Sequence, residues 1–203
     1  QGSSDEIDRL RWLESPTDER AVAWARETTA ASTAAFTGRA SYQQTLGDLR
    51  RALDAAPVVS DIALLGPYAV RFRRDAQHPK GVLQRADRSG RSLGPWRAVL
   101  DVDELSRSEG ADYDLRWASD RCLPPTFDRC LLSLSVAGSD KAVLREFDLA
   151  AGRFIEGGFA LPISQHVVAW LNRDAIVVGH DLAGSPKTAA NWPAEAYLWR
   201  RGT

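Results

Sequence analysis

One pentapeptide of the chain has the spacing of a serine nucleophile. Residues 90–94 read GRSLG, the pattern in which a serine stands on a strained turn between a buried strand and a helix. A polar segment precedes Ser92, and Pro95-Trp96 begins another predicted strand instead of a helix. This context lacks the geometry that sets a serine against a histidine and an oxyanion hole. The sequence therefore predicts no catalytic role for Ser92.

The three histidines do not combine into a metal or acid–base site. His78, His166 and His180 are scattered between loop and strand positions, and none has a second ligand at helical or hairpin spacing. His166 heads an apolar strand and is expected to be a hydrogen-bonded strand terminus. His180 stands beside Asp181, but adjacent residues on a strand point to opposite faces. We predict no metal-binding and no catalytic histidine.

The acidic residues and the cysteines give no metal signature either. Asp101, Asp103 and Glu104 lack the glycine and the terminal glutamate of an EF-hand loop. The spacing of Cys122 and Cys130 matches no Cys-x₂-Cys metal pattern. The sequence thus predicts no catalytic, cofactor-binding or metal-binding residue, and no cofactor.

Two interpretations of the cysteines stay open. In the one we favour, Cys130 is a small buried hydrophobe on the core face of its strand. In the other, Cys122 and Cys130 form a local disulfide across the Leu123-Pro124-Pro125 loop, which would imply an oxidising compartment.

The elements that would position these residues are organised around residues 127–155. This stretch reads as three consecutive antiparallel strands with two tight turns, at 137–140 and 150–153. The core face of the first strand alternates as a half-buried strand requires, with Cys130, Leu132, Leu134 and Val136. The local meander is typical of most of one β-propeller blade.

Similar groups of short strands flank this unit. We predict strands at 68–73, 82–86, 96–102, 113–117, 166–171, 175–179 and 197–199. The segment 105–112 is expected to be a polar connection, and Arg71, Arg73 and Arg74 a solvated strand edge. Three groups spaced by roughly 45–60 residues indicate repeated four-stranded units. Periodicity alone supports a β-sandwich nearly as well, but local meanders without long crossovers favour a propeller of about three blades, the last incomplete.

The first quarter of the chain is of another kind, rich in alanine and charged residues. Ser15 and Pro16 form a helix start, and Gly38 is a natural C-terminal cap. A second helix is expected from after Ser41 until Pro57 stops it.

The composition shift at Val58 divides the chain into two predicted parts. Residues 1–57 form a helical extension and residues 58–203 a partial propeller, so the fold class is mainly β. The apolar helix stripes need a partner, so we expect Trp12, Trp24 and Phe36 to be buried against the β-region or a neighbouring chain.

Composition limits the possible partners. A formal net charge of −1 gives no reason to expect nucleic acid or an anionic membrane surface. No apolar run reaches the ~20 residues that span a bilayer, and the first residues show no signal-peptide pattern. The compartment stays open between cytoplasm and periplasm.

Several motifs in order along the chain carry a resemblance. They are RWLE at 11–14, AWA at 23–25, YAVRFRRD at 68–75, VLDVD at 99–103, GSD at 138–140, REFDL at 145–149 and WRRGT at 199–203. Together they make the chain resemble the prolyl oligopeptidase family of serine peptidases. The resemblance implies a helical extension and a seven-bladed propeller that cover an α/β-hydrolase domain and admit only short proline-containing peptides.

The resemblance also implies what this chain lacks. The hydrolase domain with its Ser, Asp and His would follow the propeller, so the chain alone is predicted to be inactive and that domain to be its partner. The alternative is a non-catalytic β-rich module that binds a protein partner, with Trp96 or Trp192 as interface anchors.

A propeller that stops inside a blade should leave apolar surface open. We expect an exposed face around Val168, Trp170, Ile176 and Val178, and an unpaired strand edge along 197–200. Such surfaces predict self-association of the chain.

Overall fold

In the computed structural model, the described residues are 10–15, 17–54, 58–59 and 62–203. They belong to two units, residues 1–55 and residues 56–203. The first unit is helical and the second consists of three antiparallel sheets with one short helix. None of the described helices has the length and apolar character needed to cross a bilayer.

The helical unit contains a 3₁₀ turn, Arg11–Glu14, and two helices, α1 (Glu19–Thr37) and α2 (Ala40–Asp54). Helix α1 begins later than the sequence predicted. Its N-terminal cap is Asp18, whose carboxylate accepts a hydrogen bond of 2.8 Å from the backbone N–H of Arg20. Gly38 caps the other end as expected, although in a right-handed conformation. Pro57, the predicted stop of α2, lies outside the described residues.

The aromatic residues of this unit are less buried than we expected. The rings of Trp12 and Trp24 meet edge to face with centroids 6.3 Å apart, and the guanidinium of Arg20 lies 4.9 Å from the Trp12 centroid. Trp24 and Phe36 are nonetheless 47% and 56% exposed within the chain. The expected burial of these two side chains is therefore wrong for the chain by itself.

The first sheet contains six strands. They are β1 (Val58–Val59), β2 (Ala63–Leu65), β3 (Tyr68–Arg74), β4 (Val82–Ser89), β5 (Ser92–Leu93) and β6 (Arg97–Asp101). Strand β3 pairs with β1 and β2 on one side and β4 on the other, so its arginines do not form the sheet edge we predicted. Arg71 donates to Oε1 of Gln84 at 2.9 Å and stacks over Trp96 at 4.2 Å.

A helix follows this sheet where a polar connection was predicted. Helix α3 (Val102–Glu109) begins at the cap residue Asp101, whose carboxylate accepts from the backbone N–H of Glu104 at 3.0 Å. It ends at Gly110 in the left-handed conformation, with φ +65°. Cap residues at both ends therefore define a helix that has only one narrow buried side.

The second sheet contains the meander around which the sequence is organised. Its strands are β7 (Tyr113–Arg116), β8 (Arg129–Val136), β9 (Ala142–Asp148), β10 (Arg153–Phe154) and β11 (Ala160–Ser164). The third sheet has the order β12 (His166–Asn172), β13 (Ala175–His180) and β14 (Tyr197–Arg200). The three predicted groups of strands are thus confirmed as three separate sheets.

Two apolar cores join the three sheets in sequence. On β8, Cys130, Leu132 and Leu134 face the first sheet, whereas Leu131 faces the third. The second core packs Leu131, Leu144, Phe159 and Leu161 against Val168, Ile176 and Val178. Each sheet covers its neighbour, which confirms a partial propeller.

The second core overturns the prediction for the open face. Val168, Ile176 and Val178 are at most 8% exposed. The exposed row of the third sheet lies on its other side, where Ala169, Val177 and Leu198 are directly opposite one another on three strands.

The cysteines form a disulfide. Cys122 and Cys130 are bonded, so our preferred interpretation of an unpaired Cys130 is wrong. Both residues are still buried in the first core, as that interpretation assumed. The bridge ties the loop before β8 to the core face of that strand.

Reducing this disulfide should destabilise the chain by about 2.5 kcal/mol, because a closed loop of this length removes roughly that much chain entropy from the unfolded state. Urea unfolding with and without a thiol reductant measures the difference. The matched control replaces both cysteines (Cys122→Ala with Cys130→Ala), and its midpoint should not respond to the reductant. Equal midpoints for the oxidised and reduced wild type would contradict the prediction.

Candidate functional site

Ser92 lies on the short strand β5, exposed to solvent and opposite Ser89 of β4. A turn at Gly90, with φ +61°, joins the two strands. The next regular element is strand β6 and not a helix. The structure therefore places Ser92 on a hairpin and not on the strand–turn–helix of a nucleophile elbow.

His78 lies between two carboxylates. Its Nδ1 is 3.0 Å from Oδ1 of Asp75, and its Nε2 is 3.5 Å from Oδ2 of Asp101. Asp75 also pairs with Arg73 at 2.7 Å. Burial of Asp75 acts to raise its pKa, but hydrogen bonds from His78 and Gln77 outweigh burial and lower it. These contacts hold the β3–β4 loop against the start of α3.

The neighbouring acidic residues are used for structure. The carboxylate of Asp103 accepts from the backbone N–H of Lys80 at 3.1 Å, and Glu104 pairs with Arg107 at 2.7 Å on the exposed side of α3. Among the described residues no group of three or more His, Cys, Asp and Glu side chains could hold a metal ion.

His180 and Asp181 make separate contacts. Nδ1 of His180 lies 3.0 Å from Oγ of Ser185, whereas Asp181 pairs with Lys141 and accepts from the backbone N–H of Gln165 at 2.8 Å. Burial of Asp181 acts to raise its pKa, but the hydrogen bonds from Lys141 and Gln165 outweigh it and lower the pKa. Asp181 therefore joins the second sheet to the third.

His166 lies at a cavity between the second and third sheets, which we call the seam pocket. Its Nε2 is 2.9 Å from Oγ of Ser133, and its Nδ1 is 3.2 Å from Oγ of Ser164. The cavity has a volume of about 180 Å³. The residues that line it include Arg116, Trp117, Arg121, Ser133, His166 and Trp192.

Short elements of the second sheet position the two arginines. Arg116 ends β7 and donates to the carbonyl oxygens of Ser139 and Asp140, at 2.6 and 3.1 Å. Arg121 ends a 3₁₀ turn, Ser119–Arg121. Its Nη1 donates to the carbonyl oxygen of Val168 at 2.9 Å.

Two arginines and one carboxylate, Asp140, line the seam pocket. Burial lowers the pKa of His166, and the charges of Arg121 and Arg116 also lower it, whereas a backbone hydrogen bond with Ser164 and the charge of Asp181 offset part of this effect. The imidazole is therefore neutral at neutral pH, and its two serine contacts fix the plane of the ring. The carboxylate of Asp140 also lines the cavity but is exposed.

The sequence predicted His166 only as a hydrogen-bonded strand terminus, and it singled out neither the two arginines nor Ser133. The available signal was the segment 116–121, RWASDR, in which two arginines and a tryptophan end a predicted strand. Nothing local in that segment shows that β12, some fifty residues later, packs beside it.

The histidine–carboxylate and histidine–serine contacts that a Ser–His–Asp triad would combine thus lie at separate places in the structure. His78 contacts Asp75 and Asp101, whereas His166 and His180 contact serine hydroxyls.

Comparison with known proteins decides the family. Residues 3–182 match the description "Prolyl oligopeptidase, N-terminal beta-propeller domain". The chain belongs to the prolyl oligopeptidase family. It corresponds to the N-terminal propeller portion of a prolyl-oligopeptidase-like peptidase.

Relatives and solved structures agree with this assignment. The chain is 29% identical, over its whole length, to the uncharacterized peptidase y4nA of Sinorhizobium fredii, and 25% identical over 95% of its length to the uncharacterized peptidase RP174 of Rickettsia prowazekii. It is similar in fold to a post-proline cleaving enzyme from Rickettsia typhi, with a TM-score of 0.71 and 24% identity over 96% of this chain and 29% of that one. The chain spans 28% of the length of each of the two curated relatives.

Proposed function

We propose that this prolyl oligopeptidase chain is a non-catalytic cover that limits access of short proline-containing peptides to a hydrolase domain. The observation that carries the proposal is the stacking of three sheets through two apolar cores, an arrangement suited to a wall beside an active site. The separation of His78 from the serine-bound histidines supports the non-catalytic role.

The screening role is tested in the complete enzyme. Residues 58–203 are deleted, and hydrolysis of a short proline-containing peptide is compared with hydrolysis of the same sequence inside a folded protein. We expect the deletion to raise the relative rate on the larger substrate. A small activated ester serves as the control for a folded hydrolase domain. An unchanged size preference with full ester activity would contradict the proposal.

The isolated chain should not hydrolyse a fluorogenic proline peptide, because the exposed Ser92 has neither a histidine contact nor a helix behind it in the structure described above. The assay compares the wild-type chain with Ser92→Ala after repeated purification. Turnover that persists in the wild type and disappears in Ser92→Ala would overturn the prediction, since a contaminating peptidase would not respond to the substitution.

We propose further that the exposed row of the third sheet binds a second copy of the isolated chain. Val177 and Leu198, 38% and 50% exposed, face each other on adjacent strands, and monomers rarely leave such rows in water. Leu198→Lys should weaken self-association at least tenfold. Leu93→Lys, on the exposed side of the first sheet, is the matched control. Size exclusion with light scattering at rising concentration measures both, and a monomer at every wild-type concentration would exclude the interface.

A further inference from the structure

The two arginines of the seam pocket are oriented by neutral groups. Within the part of the chain that the structure describes, the side chains of Arg116 and Arg121 donate hydrogen bonds to backbone carbonyl oxygens, at 2.6 to 3.1 Å. The ion pair of Arg121 with the exposed Asp120 is long, 3.9 Å from Nε to Oδ1. Carbonyl oxygens fix the direction of a guanidinium group without cancelling its charge. Both positive charges therefore remain available to a ligand.

Three other arginines of the same unit contact a carboxylate, unlike Arg88, which also donates to a backbone carbonyl oxygen. Arg73, Arg145 and Arg201 each have a carboxylate oxygen within 2.7 to 3.0 Å. The two arginines of the seam pocket thus differ from these three in lacking a short contact with a carboxylate. The pocket's one acidic lining residue, Asp140, leaves an excess of one positive charge.

We propose that the seam pocket binds the C-terminal carboxylate of a short peptide, with Arg116 and Arg121 on the carboxylate and the last side chain against an indole ring. The volume of about 180 Å³ suits one terminal residue and not a long segment. This inference rests on the proposed function, since it takes the ligand to be a peptide that the propeller screens.

The hydroxyl of Ser133 adds a neutral donor in one of the two neutral tautomers of His166. When Nε2 of His166 carries the imidazole proton, it donates to Ser133 across 2.9 Å, and Oγ of Ser164 donates to Nδ1 across 3.2 Å. The hydroxyl hydrogen of Ser133 is then free to donate to a carboxylate oxygen. Ser164 is 1% exposed, so Ser133 is the serine that a ligand reaches.

The indole rings favour a carboxylate attached to an apolar residue over a free inorganic anion. Trp117 and Trp192 both line the pocket, and Trp192 is 49% exposed. A bound prolyl or aliphatic residue would cover this apolar surface, whereas phosphate would leave it in water.

The experiment is isothermal titration of the 203-residue chain with four probes. They are N-acetyl-alanyl-proline, its C-terminal amide, an amide-capped peptide with an internal glutamate, and inorganic phosphate. We expect the free acid to bind at least tenfold more tightly than each of the other three. The two amide-capped peptides lack the terminal carboxylate that contacts the guanidinium groups, and phosphate leaves the indole rings uncovered.

The variants identify the groups. Arg116→Gln and Arg121→Gln should each weaken binding of the free acid about tenfold, and Arg116→Lys should weaken it less than Arg116→Gln, because lysine keeps the positive charge but not both carbonyl contacts. Arg88→Gln is the matched control, since Arg88 also donates to a backbone carbonyl, that of Gly66 at 3.0 Å, but on the first sheet. Circular dichroism and the unfolding midpoint verify that each variant is folded. In NMR spectra, the indole N–H resonance of Trp117 should shift with the free acid and not with the other probes, which would show that the ligand lies beside Trp117.

The outcomes separate this inference from the proposed function. Equal binding of acid and amide, equal binding of phosphate, or no binding by the folded wild type overturns the carboxylate site. Tighter binding of the internal glutamate would assign the pocket to an acidic side chain and overturn it also. Because the titration needs no hydrolase domain, the carboxylate site can stand if the size-selection experiment fails, and can fail if that experiment succeeds.

Discussion

Arg201→Met should lower the free energy of unfolding by about 3–4 kcal/mol, because it leaves a buried carboxylate without its main partner. Glu146 lies on β9 with a side chain that is 1% exposed. Its two oxygens accept from Nη1 and Nη2 of Arg201 at 3.0 and 3.1 Å. Arg201 follows β14, so the pair fastens the third sheet to the second.

The remaining contacts of Glu146 cannot replace that partner. Phe159 donates its backbone N–H to Oε2 at 2.9 Å, and Nη1 of Arg129 is 3.9 Å from Oε1. The hydrogen bond to Glu146 raises the pKa of Arg201, so the guanidinium stays charged. Removing the guanidinium of Arg201 therefore leaves the buried side chain of Glu146 without its main partner.

Urea unfolding measures the loss, and two further variants separate its causes. Combining Arg201→Met with Glu146→Gln removes both charges and keeps an acceptor for the N–H of Phe159, so we expect it to restore more than half of the lost stability. Arg107→Ala breaks an exposed pair with Glu104, which is 2.7 Å long, and should cost less than about 1 kcal/mol. A loss in Arg201→Met no larger than that in Arg107→Ala would contradict the prediction.

The sequence predicted what depends on neighbouring residues. The alternation of Cys130, Leu132 and Leu134 identified one core face of β8 by local period, and all three residues lie in the first core. The half-buried strand that it predicted is wrong, because Leu131 on the other face is buried in the second core. Helix α3 was missed although Asp101 and Gly110 carry its cap signals, because six of its eight residues are polar and it presents only a narrow apolar side. Here capping chemistry decided the structure and hydrophobic periodicity did not.

Contacts between sheets could not be predicted in the same way. Strands β12 and β13 are apolar on both faces, so alternation does not tell whether Val178 or Val177 is covered. Packing of Phe159 and Leu161 against Val178 decides the question, and these residues come from another sheet. The seam pocket has the same origin, because Arg121 and His166 meet only after β12 has packed beside the second sheet.

Gly81→Ala should lower the free energy of unfolding more than any other addition of a single methyl group to the first sheet. Gly81 has φ +101°, where residues with a side chain are strained. A Cβ at this position would lie 2.2 Å from Cζ of Phe72 and 2.8 Å from both Cε atoms. The ring of Phe72, 8% exposed, is part of the first core, where displacing a side chain disturbs close packing.

The expected loss is roughly 3–5 kcal/mol, the sum of backbone strain and overpacking. Gly90→Ala is the matched control, because Gly90 has φ +61° but nothing within 4 Å of its would-be Cβ. It should show the backbone cost alone, about 1 kcal/mol. Urea unfolding curves of both variants give the two values.

A double-mutant cycle with Phe72→Ala isolates the contact. In the Phe72→Ala background the ring is gone, so Gly81→Ala should cost only the backbone term of about 1–2 kcal/mol. If Gly81→Ala costs the same in both backgrounds, the close approach of the Phe72 ring does not determine the need for glycine. If Gly81→Ala also costs no more than Gly90→Ala, the first core accommodates the methyl group by shifting β3 away from β4. The propeller would then be easier to deform than the packing of its core indicates.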